Sequence, residues 1–312
     1  MSDQFVSINL TKANFDDIYV KEDPRAYFSV LGALDYMIPD VAAPVVRQII
    51  AAYARRYGRK PRVLDVGSSY GINAAVHRFP VTFASLRRRY ARHEMVALDS
   101  TEVARLDRHY YASWPDKGLA AFIGLDASSQ AIQYAKDVGL IEDGIVADLE
   151  HGGLTREAAD ILDGIDLVLS TGAIGYVSDK TFRPIVDAIS RPLWVVSFVL
   201  RMFPYDEIQT ALDDRGLVTE HLGSALFAQR RFIDLAEFRA CLDRLAARGL
   251  DSNGLESRGL LQAGLFLSRP PDDVRHAALD DIVTISVGRN RPTGPRYVNV
   301  QTLDGQQIAL EP

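Results

Sequence analysis

The sequence predicts an α/β protein in which helices wrap a mostly parallel sheet. From residue 62 to residue 200, short apolar runs of strand length alternate with amphipathic runs of helical length. A strand, helix, strand, helix order is typical of a parallel sheet covered by helices. The 312 residues, 47% hydrophobic and 24% charged, have the composition of an ordinary globular chain with one large or two small domains.

The elements follow in order along the chain. Residues 34–57 place apolar side chains at helical spacing and end in Arg55, Arg56 and Gly58, a cationic last turn followed by a helix stop. Strands are predicted at 62–66, 120–125, 144–147, 166–169, 193–200 and 260–267. Helices are predicted at 131–138, 155–162, 182–189, 205–214 and 235–248, with an extended segment at 217–232.

Two segments interrupt this alternation. The stretch from His77 to Lys117 is longer than an ordinary connection and is basic within an acidic chain, so it is interpreted as a solvated helical face or as a cap that attracts an anionic substrate. Near the C-terminus, 282–287 and 297–303 are predicted to be strands of a small appendage used in edge pairing or dimerisation.

Charge and cysteine content restrict the class of protein. The 35 Lys and Arg against 41 Asp and Glu give a net charge of -6, which disfavours a nucleic-acid partner. The single cysteine, Cys241, cannot form an internal disulfide, so a reducing compartment is expected. The first residues do not read as a secretory signal, and the longest apolar run, 192–204, is far shorter than the roughly 20 residues that span a bilayer. We therefore expect a soluble, cytoplasmic protein without membrane contact.

The most informative segment is 63–73, an apolar strand that ends in Asp65, Gly67 and a second glycine, Gly71. Such a turn exposes backbone N–H groups at the carboxyl end of a strand, where ligands bind. The dinucleotide fingerprint needs glycine also at positions 69 and 72, which are Ser69 and Ile72, and no Walker tripeptide occurs.

This segment resembles the first motif of the class I S-adenosylmethionine (SAM)-dependent methyltransferases, an acidic residue followed by a Gly-x-Gly-x-Gly turn. Asp65, Gly67 and Gly71 match the motif, and Ser69 replaces its middle glycine. The resemblance implies a seven-stranded Rossmann-like fold and SAM as the cofactor. It also implies that Asp65, Gly67, Ser68, Ser69 and Gly71 form the turn around the methionine part of that cofactor.

Three later segments extend the resemblance. The strand ending in Asp126 and Ala127 is similar to the one whose acid accepts both ribose hydroxyls, and a carboxylate suits a diol because it offers two acceptor oxygens. Asp99 ends a similar run, but Asp126 is preferred because the next acid, Asp148, follows 22 residues later. The resemblance implies that Asp148 and Leu149 contact adenine. It places the catalytic part of the site at the end of the fourth strand, at Ser170 and Thr171.

Residues outside these segments are candidates for the acceptor. Tyr27 and Tyr36 precede the first strand, where small-molecule members of the family often fold a segment over the cofactor. Arg201 offers a bidentate fork to a substrate carboxylate, and Tyr205 is a candidate pocket wall. The candidates for catalysis are Tyr176 and His221. No spacing of histidines and carboxylates suggests a metal, so none is predicted.

The resulting hypothesis is a SAM-dependent methyltransferase that acts on a small, anionic metabolite, with carboxyl O-methylation preferred over C- or N-methylation. Its domains are a helical cover (1–60), a SAM-binding domain (61–269, with the insertion 77–118) and a C-terminal β appendage (270–312). The alternatives are an RNA-modifying methyltransferase that uses the basic insertion and a non-catalytic protein that binds SAM. A homodimer is one expected use of the appendage.

Overall fold

Across the residues that the computed structural model describes, which are 16–285, 296–302 and 305–311, the chain folds around an eight-stranded sheet. Its strands are β1 Arg62–Val66, β2 Ala121–Asp126, β3 Asp143–Val146, β4 Leu167–Ser170, β5 Trp194–Leu200, β6 Val218–His221, β7 Phe227–Arg231 and β8 Leu260–Arg269. The order is β3-β2-β1-β4-β5-β8-β6, and β7 also pairs with β8. Strands β1 to β5 are parallel, whereas β8 runs antiparallel to β5, β6 and β7. The predicted α/β class is confirmed.

The sheet has eight strands and not the predicted seven because the edge strand beside β8 is divided into two short strands, β6 and β7. Strand β6 pairs with residues 266–269 of β8, and β7 pairs with residues 260–263 of the same strand. Between them, Leu222 still donates its N–H to Leu265 before the chain turns at Gly223 and Ser224. The predicted extended segment 217–232 therefore occupies one place in the sheet as two short strands.

Helices connect the strands and cover the sheet. They are α1 Asp16–Tyr19, α2 Arg25–Ala33, α3 Ile38–Tyr57, α4 Ile72–Arg78, α5 Phe83–Tyr90, α6 His93–Val96, α7 Ser100–Ala112, α8 Ser129–Asp137, α9 Arg156–Leu162, α10 Asp179–Ala188, α11 Asp206–Asp214, α12 Leu235–Ala247, α13 Pro271–His276 and α14 Leu279–Ile282. A short 3₁₀ helix spans Glu256–Arg258. Crossovers between parallel strands are right-handed, so connections that lead in opposite directions from β1 place helices on both faces.

The direction of winding changes between β1 and β4. The chain goes outward from β1 through β2 to β3, and then returns to place β4 and β5 on the other side of β1. A crevice forms at the carboxyl ends of the strands where the order reverses, and ligands of open α/β sheets bind there. The sheet beneath it is buried and largely apolar: all seven residues of β5 and all four of β4 are buried, and only Ser170 and Ser197 among them are polar.

Some predicted bounds change. The helix predicted for 34–57 begins at Ile38, because residues 34–37 form a turn in which Asp35 adopts a left-handed φ of 50°. The strand predicted at 282–287 is wrong for residues 282–285, because α14 ends at Ile282 and residues 283–285 have no regular structure. Residues 286 and 287 lie outside the described residues. Near the end of the chain, β9 Arg296–Thr302 pairs antiparallel with β10 Gly305–Glu311.

The basic segment 77–118 contains α5, α6 and α7 and is attached to the sheet domain through a buried carboxylate. Asp107 is 0% exposed and accepts hydrogen bonds from Arg89, Tyr90 and Tyr134. Tyr134 belongs to α8, which packs on β2 and β3. The buried donors compensate the desolvation of the Asp107 charge.

Among the described residues, no single helix has the length and hydropathy to cross a membrane, and only the sharply bent pair Arg25–Ala33 and Ile38–Tyr57 meets that test together.

Candidate functional site

A cavity of about 640 Å³ opens at the carboxyl ends of β1 to β4, where the strand order reverses. This volume lies within the ~300–1,000 Å³ typical of small-molecule and cofactor sites. The lining residues come from the strand ends, the loops that follow them and the N-terminal segment: Tyr19, Val20, Tyr27, Tyr36, Val66, Gly67, Ser69, Leu125, Asp126, Ala127, Ser128, Ala147, Asp148, Leu149, His151, Thr171, Gly172, Ala173, Tyr176, Val177 and Thr181.

The turn after β1 forms one wall of the cavity. Gly67 and Gly71 adopt φ values of 71° and 77°, which L side chains rarely take. A Cβ on Gly67 would lie 2.7 Å from the Cβ of Ala173, so glycine also permits the close approach of the loop after β4. Gly67 and Ser69 line the cavity, while Ser68 is buried behind them and Gly71 is the N-cap of α4.

Ser69 stands at the motif's middle glycine position and has a φ of 49°. A left-handed φ disfavours any residue with a Cβ by roughly 1–2 kcal/mol. Ser69→Gly is therefore expected to raise the free energy of unfolding by about 1 kcal/mol, measured by urea denaturation. Ser69→Ala, which removes the hydroxyl but keeps the Cβ, is the matched control. Equal stability of the Gly and Ala variants would contradict backbone strain at this position.

Asp126, at the end of β2, is held in a fixed orientation by backbone donors. Its Oδ2 accepts the N–H of Ser69 at 2.8 Å, and its Oδ1 accepts the N–H of Ser128 at 2.9 Å. Burial raises the pKa of this carboxyl, whereas the amides of Ser128, Ser69 and Ala127 oppose that shift. Each carboxylate oxygen has further lone pairs, so Asp126 retains acceptor capacity toward the cavity that it lines.

Asp65 lies beneath the same turn and is 1% exposed. Its Oδ1 accepts the side-chain N–H of Asn73 at 2.8 Å, and Asn73 also donates to the Thr171 hydroxyl at 2.9 Å. The other oxygen, Oδ2, is buried and has no hydrogen-bond partner in the described part of the protein. Burial raises the pKa of Asp65 to about 7.

Asn73 joins β1 to β4 but was not among the predicted site residues. It is the second residue of α4, and a polar residue at that position in an otherwise apolar pattern was the available signal. Of the two residues predicted at the end of β4, Thr171 lines the cavity, whereas Ser170 is fully buried with its Oγ unpartnered within the described residues.

The loop after β3 forms the opposite rim. Asp148 and Leu149 line the cavity together with Ala127, so the structure brings these three predicted residues together. His151 lines the same rim, and its Nδ1 lies 2.9 Å from Asp148 Oδ2. The anchor of this loop is Glu150, whose carboxylate accepts hydrogen bonds from Ser178 and Thr181 at the start of α10.

Four tyrosines cover the cavity on the side of the N-terminal segment and of the loop after β4. Tyr27, Tyr36 and Tyr176, all predicted site residues, line it together with Tyr19. Tyr27 is 4% exposed and packs edge-on against Tyr19, whereas Tyr176 is 38% exposed at the mouth. Burial raises the pKa of Tyr36, so its hydroxyl stays protonated at neutral pH. Sequence reasoning missed Tyr19 because no motif surrounds it.

The loops that build the cavity also hold the N-terminal segment in place. The Tyr70 hydroxyl lies 2.8 Å from the carbonyl oxygens of both Ile18 and Lys21, and the Ser128 hydroxyl donates to the carbonyl of Tyr19. A second attachment follows in the chain, where Arg25 donates to the carbonyls of Met95 and Leu98 in the insertion. Residues 18–25 are thus fastened over the cavity by hydrogen bonds with three other segments.

Tyr70→Phe is expected to loosen this cover. The variant loses a hydrogen bond worth about 1 kcal/mol, so amide hydrogens of residues 18–22 should exchange roughly fivefold faster, as measured by mass spectrometry. Tyr90→Phe is the matched control, since Tyr90 is also buried and hydrogen-bonded, but to Asp107 and Tyr134. Unchanged exchange in the Tyr70 variant, or the same change in both variants, would contradict the proposed role of Tyr70 in holding residues 18–25.

Three predicted site residues lie away from the cavity. The side chain of Arg201 forms an ion pair with Glu256 at 2.7 Å and donates to the carbonyl of Asp251. Tyr205 donates to Ser197, and His221 packs on the ring of Phe266. Arg201 and Tyr205 follow β5 and His221 ends β6, and none of the three is among the residues that line the cavity.

The cationic residues of the insertion do not line the cavity either. Arg78 pairs with Asp116, Arg89 with Asp107, and Lys117 donates to the carbonyls of Val76 and Phe79. No Lys or Arg occurs among the cavity-lining residues of the described chain. Nor do three His, Cys, Asp or Glu side chains within the described ranges gather in a group that would hold a metal ion.

Comparison with known proteins gives structural matches only. No protein-family model and no curated protein matches the sequence. Among solved structures, the magnesium protoporphyrin IX methyltransferase of Synechocystis PCC 6803 with bound SAM is 11% identical, with a TM-score of 0.36 over 86% of this chain and 98% of that one. The plantazolicin methyltransferase BpumL with S-adenosylhomocysteine (SAH) is 11% identical, with a TM-score of 0.39 over 86% of this chain and 100% of that one. A TehB-like SAM-dependent methyltransferase from Corynebacterium glutamicum is 14% identical, with a TM-score of 0.35 over 70% and 86%.

The strand order, rather than these scores, defines the architecture. Five parallel strands with a reversal of order at β1 and β4 are followed by an edge in which the antiparallel β8 lies between β5 and β6. The glycine turn after β1 and the acid at the end of β2 meet at that reversal. The chain therefore has the Rossmann-like fold of the class I SAM-dependent methyltransferases.

Proposed function

We propose that the protein is a SAM-dependent methyltransferase that acts on a small molecule. The observation that carries this proposal is the Asp126 carboxylate, which is fixed by the amides of Ser69 and Ser128 at the edge of the cavity beside the Gly67 turn. This arrangement presents a rigid acceptor pair beside exposed backbone, as recognition of a ribose diol next to an amino-acid tail requires.

The residues present fit this cofactor. Asp126 would accept the ribose hydroxyls, and Asp148, Leu149 and Ala127 would surround adenine. The unpartnered Oδ2 of Asp65, beneath the first turn, matches the need of a cationic amino group for a carboxylate. When bound, SAM supplies a methyl group on a positively charged sulfur. The tyrosines of the cover would position the acceptor and exclude water, which are the main contributions that a protein makes to methyl transfer.

The finer assignment concerns the acceptor group. A carboxyl acceptor was expected from the sequence on the basis of Arg201 and the basic insertion. Arg201 is engaged by Glu256, and the cavity lining of the described residues contains four tyrosines and no Lys or Arg. We therefore propose a small acceptor that is held by tyrosines. An acceptor methylated on a carboxyl group is the alternative. The cover of the cavity by the N-terminal segment and its tyrosines also supports a metabolite in preference to RNA.

Binding of SAH and turnover of SAM test the proposal. Isothermal calorimetry of the full chain is expected to give a Kd for SAH in the micromolar range, about 8 kcal/mol of binding free energy. Incubation with isotope-labelled methyl-SAM and a metabolite extract should transfer the label to a compound of low mass. No heat with SAH would refute cofactor binding. Binding without label transfer would favour a non-catalytic SAM-binding protein, and label found in RNA would favour the RNA-modifying alternative.

A further inference from the structure

The charged groups in the cavity lining are mainly of one sign. Of the described residues that line it, Asp126 and Asp148 carry carboxylates, and none is a Lys or an Arg. The ribose hydroxyls and the adenine amino group that would contact these carboxylates are uncharged, so the cofactor's contacts leave both negative charges in place. SAM carries a single net positive charge, which offsets only one of them. A cleft lined by charges of one sign attracts ligands of the opposite sign.

The positive groups around the cavity do not cancel this charge. His151 pairs with Asp148, but its side chain is 84% exposed at the rim, and one protonated imidazole balances only one carboxylate. Arg230 acts on Tyr19 electrostatically from outside the lining, where it is 3% exposed and ion-paired with Glu237. A carboxylate acceptor would therefore meet like charges without a Lys or Arg in the described lining to receive it.

Aromatic rings form the wall on which the acceptor would rest. Tyr19, Tyr27, Tyr36 and Tyr176 all line the cavity. Tyr19 and Tyr27 pack edge-on with their ring centres 5.8 Å apart, and the Tyr19 phenol lies within electrostatic range of the phenols of Tyr36 and Tyr176. The face of a tyrosine ring is negative and attracts a cation that lies within about 6 Å of the ring centre. Four such rings beside two carboxylates favour a positively charged group.

A ligand can reach these groups from solvent. Val20 and Tyr176, which both line the cavity, are 55% and 38% exposed and mark its mouth. The side chain of Asp148 is 52% exposed on the opposite rim. A molecule that enters between them meets a ring and a carboxylate before it reaches the strand ends.

We propose that the acceptor is an amine, positively charged in solution, which Asp126, Asp148 and the tyrosine rings draw into the cavity in preference to a carboxylate. This inference rests on the proposed function, because it names the class of molecule that would be methylated. Transfer to such an amine releases one proton: the ammonium loses it to water at the mouth, and the freed nitrogen lone pair bonds to the methyl carbon. The carbon–sulfur bond breaks with its electron pair on sulfur, so the products are the methylated ammonium and SAH.

Three small probes test the proposal because they share a phenyl ring and a two-carbon chain and differ in the charge of the end group: phenylethylamine, phenylethanol and phenylacetate. Ligand-observed NMR measures their binding to the full chain at pH 7.5, with and without saturating SAH. Phenylethylamine is expected to bind at least about tenfold more tightly than phenylacetate, with phenylethanol between them, because only the amine meets opposite charges and ring faces.

Two sets of variants separate the rings from the carboxylates. Tyr176→Leu removes a ring face at the mouth and should weaken phenylethylamine binding by roughly threefold to fivefold, whereas Tyr176→Phe keeps the face and should stay within about twofold. Asp148→Asn removes a negative charge and should reduce the preference for amine over carboxylate by at least about threefold, measured without SAH so that cofactor binding does not enter. Trp114→Leu is the matched control, because Trp114 is also 38% exposed but lies outside the lining. It should leave binding unchanged, and thermal denaturation checks that every variant folds.

The proposal is overturned if phenylacetate or phenylethanol binds as tightly as phenylethylamine, or if no probe binds at its highest soluble concentration. It is also overturned if saturating SAH abolishes amine binding, which would place the amine in the cofactor's part of the cavity, or if neither Tyr176→Leu nor Asp148→Asn has its effect. A chain that prefers the amine but binds no SAH would refute the proposed cofactor and leave the amine-binding site standing. A chain that binds SAH without preferring the amine would refute only this inference.

Discussion

Asp126→Ala is expected to weaken SAH binding by at least about 100-fold, because two charge-assisted hydrogen bonds to a diol are lost together. The substitution also releases the amides of Ser69 and Ser128, which Asp126 fixes at 2.8 and 2.9 Å. Asp126→Asn separates these effects, since one acceptor oxygen and the side-chain shape remain. We expect the Asn variant to lose roughly tenfold to thirtyfold. Isothermal calorimetry with SAH measures both losses.

Asp143→Asn is the control for the Asp126 variants. Asp143 is also at an end of a strand, but it pairs with Lys136 on the outside and does not line the cavity. It should bind SAH as the wild type does, and all three variants should unfold cooperatively. Wild-type affinity in Asp126→Ala would remove the basis of the proposed cofactor site.

Asp65→Asn is expected to stabilise the ligand-free protein at pH 8 while it weakens SAH binding. The free energy of unfolding should rise by roughly 2–4 kcal/mol, because a buried carboxyl whose pKa moves from 3.8 to about 7 is costly to ionise. SAH binding should fall by at least about tenfold, since the carboxylate under the first turn is the proposed partner of the amino group. Urea denaturation and calorimetry measure the two effects.

The pH dependence follows from the direction of the pKa shift. Because the folded protein holds the Asp65 proton up to about pH 7 while the unfolded chain releases it near 3.8, the folded state binds more protons between these values. The Asp65 contribution to stability is therefore largest at low pH and is lost as the pH rises through about 7. The Asn variant should lack this dependence, so its advantage over the wild type should shrink at pH 5. An advantage that is equal at pH 5 and pH 8 would contradict the raised pKa.

SAH affinity of the wild type should show the opposite trend. A cationic amino group requires the ionised carboxylate, so binding is expected to weaken as the pH falls below about 7. Calorimetry between pH 5.5 and pH 8 measures this dependence. Affinity that is flat over this range would assign the amino group to another partner.

Local patterns were sufficient to predict the sheet and the cofactor side of the cavity. Strand β1 was predicted at its observed bounds because a run of buried apolar residues meets a glycine turn there, and Asp126 and Asp148 follow strands of the same kind. Each of these patterns extends over only a few neighbouring residues, so the sequence alone reveals it.

The acceptor side depends on contacts between distant segments. Arg201 was predicted to face a substrate, but it pairs with Glu256, which lies 55 residues away in the sequence. No local sequence pattern predicts this pair. Gln229 reaches Gly172 through the pairing of β7 with the turn at Met37, which connects the start of the chain to its third quarter. Such contacts arise from tertiary packing, and a single sequence gives no period or motif for them.

The position of Ser128 links occupancy of the cavity to the order of the chain's first described residues. Its amide donates to Asp126 and its hydroxyl donates to the carbonyl of Tyr19. Ser128 therefore contacts both the cavity carboxylate and the N-terminal cover. Thermodynamic linkage is reciprocal: a ligand that stiffens Asp126 must favour the closed arrangement of residues 18–25, and closure must strengthen the ligand's hold by the same factor. The affinity for a bound molecule would then depend on this serine as well as on the groups that touch the molecule.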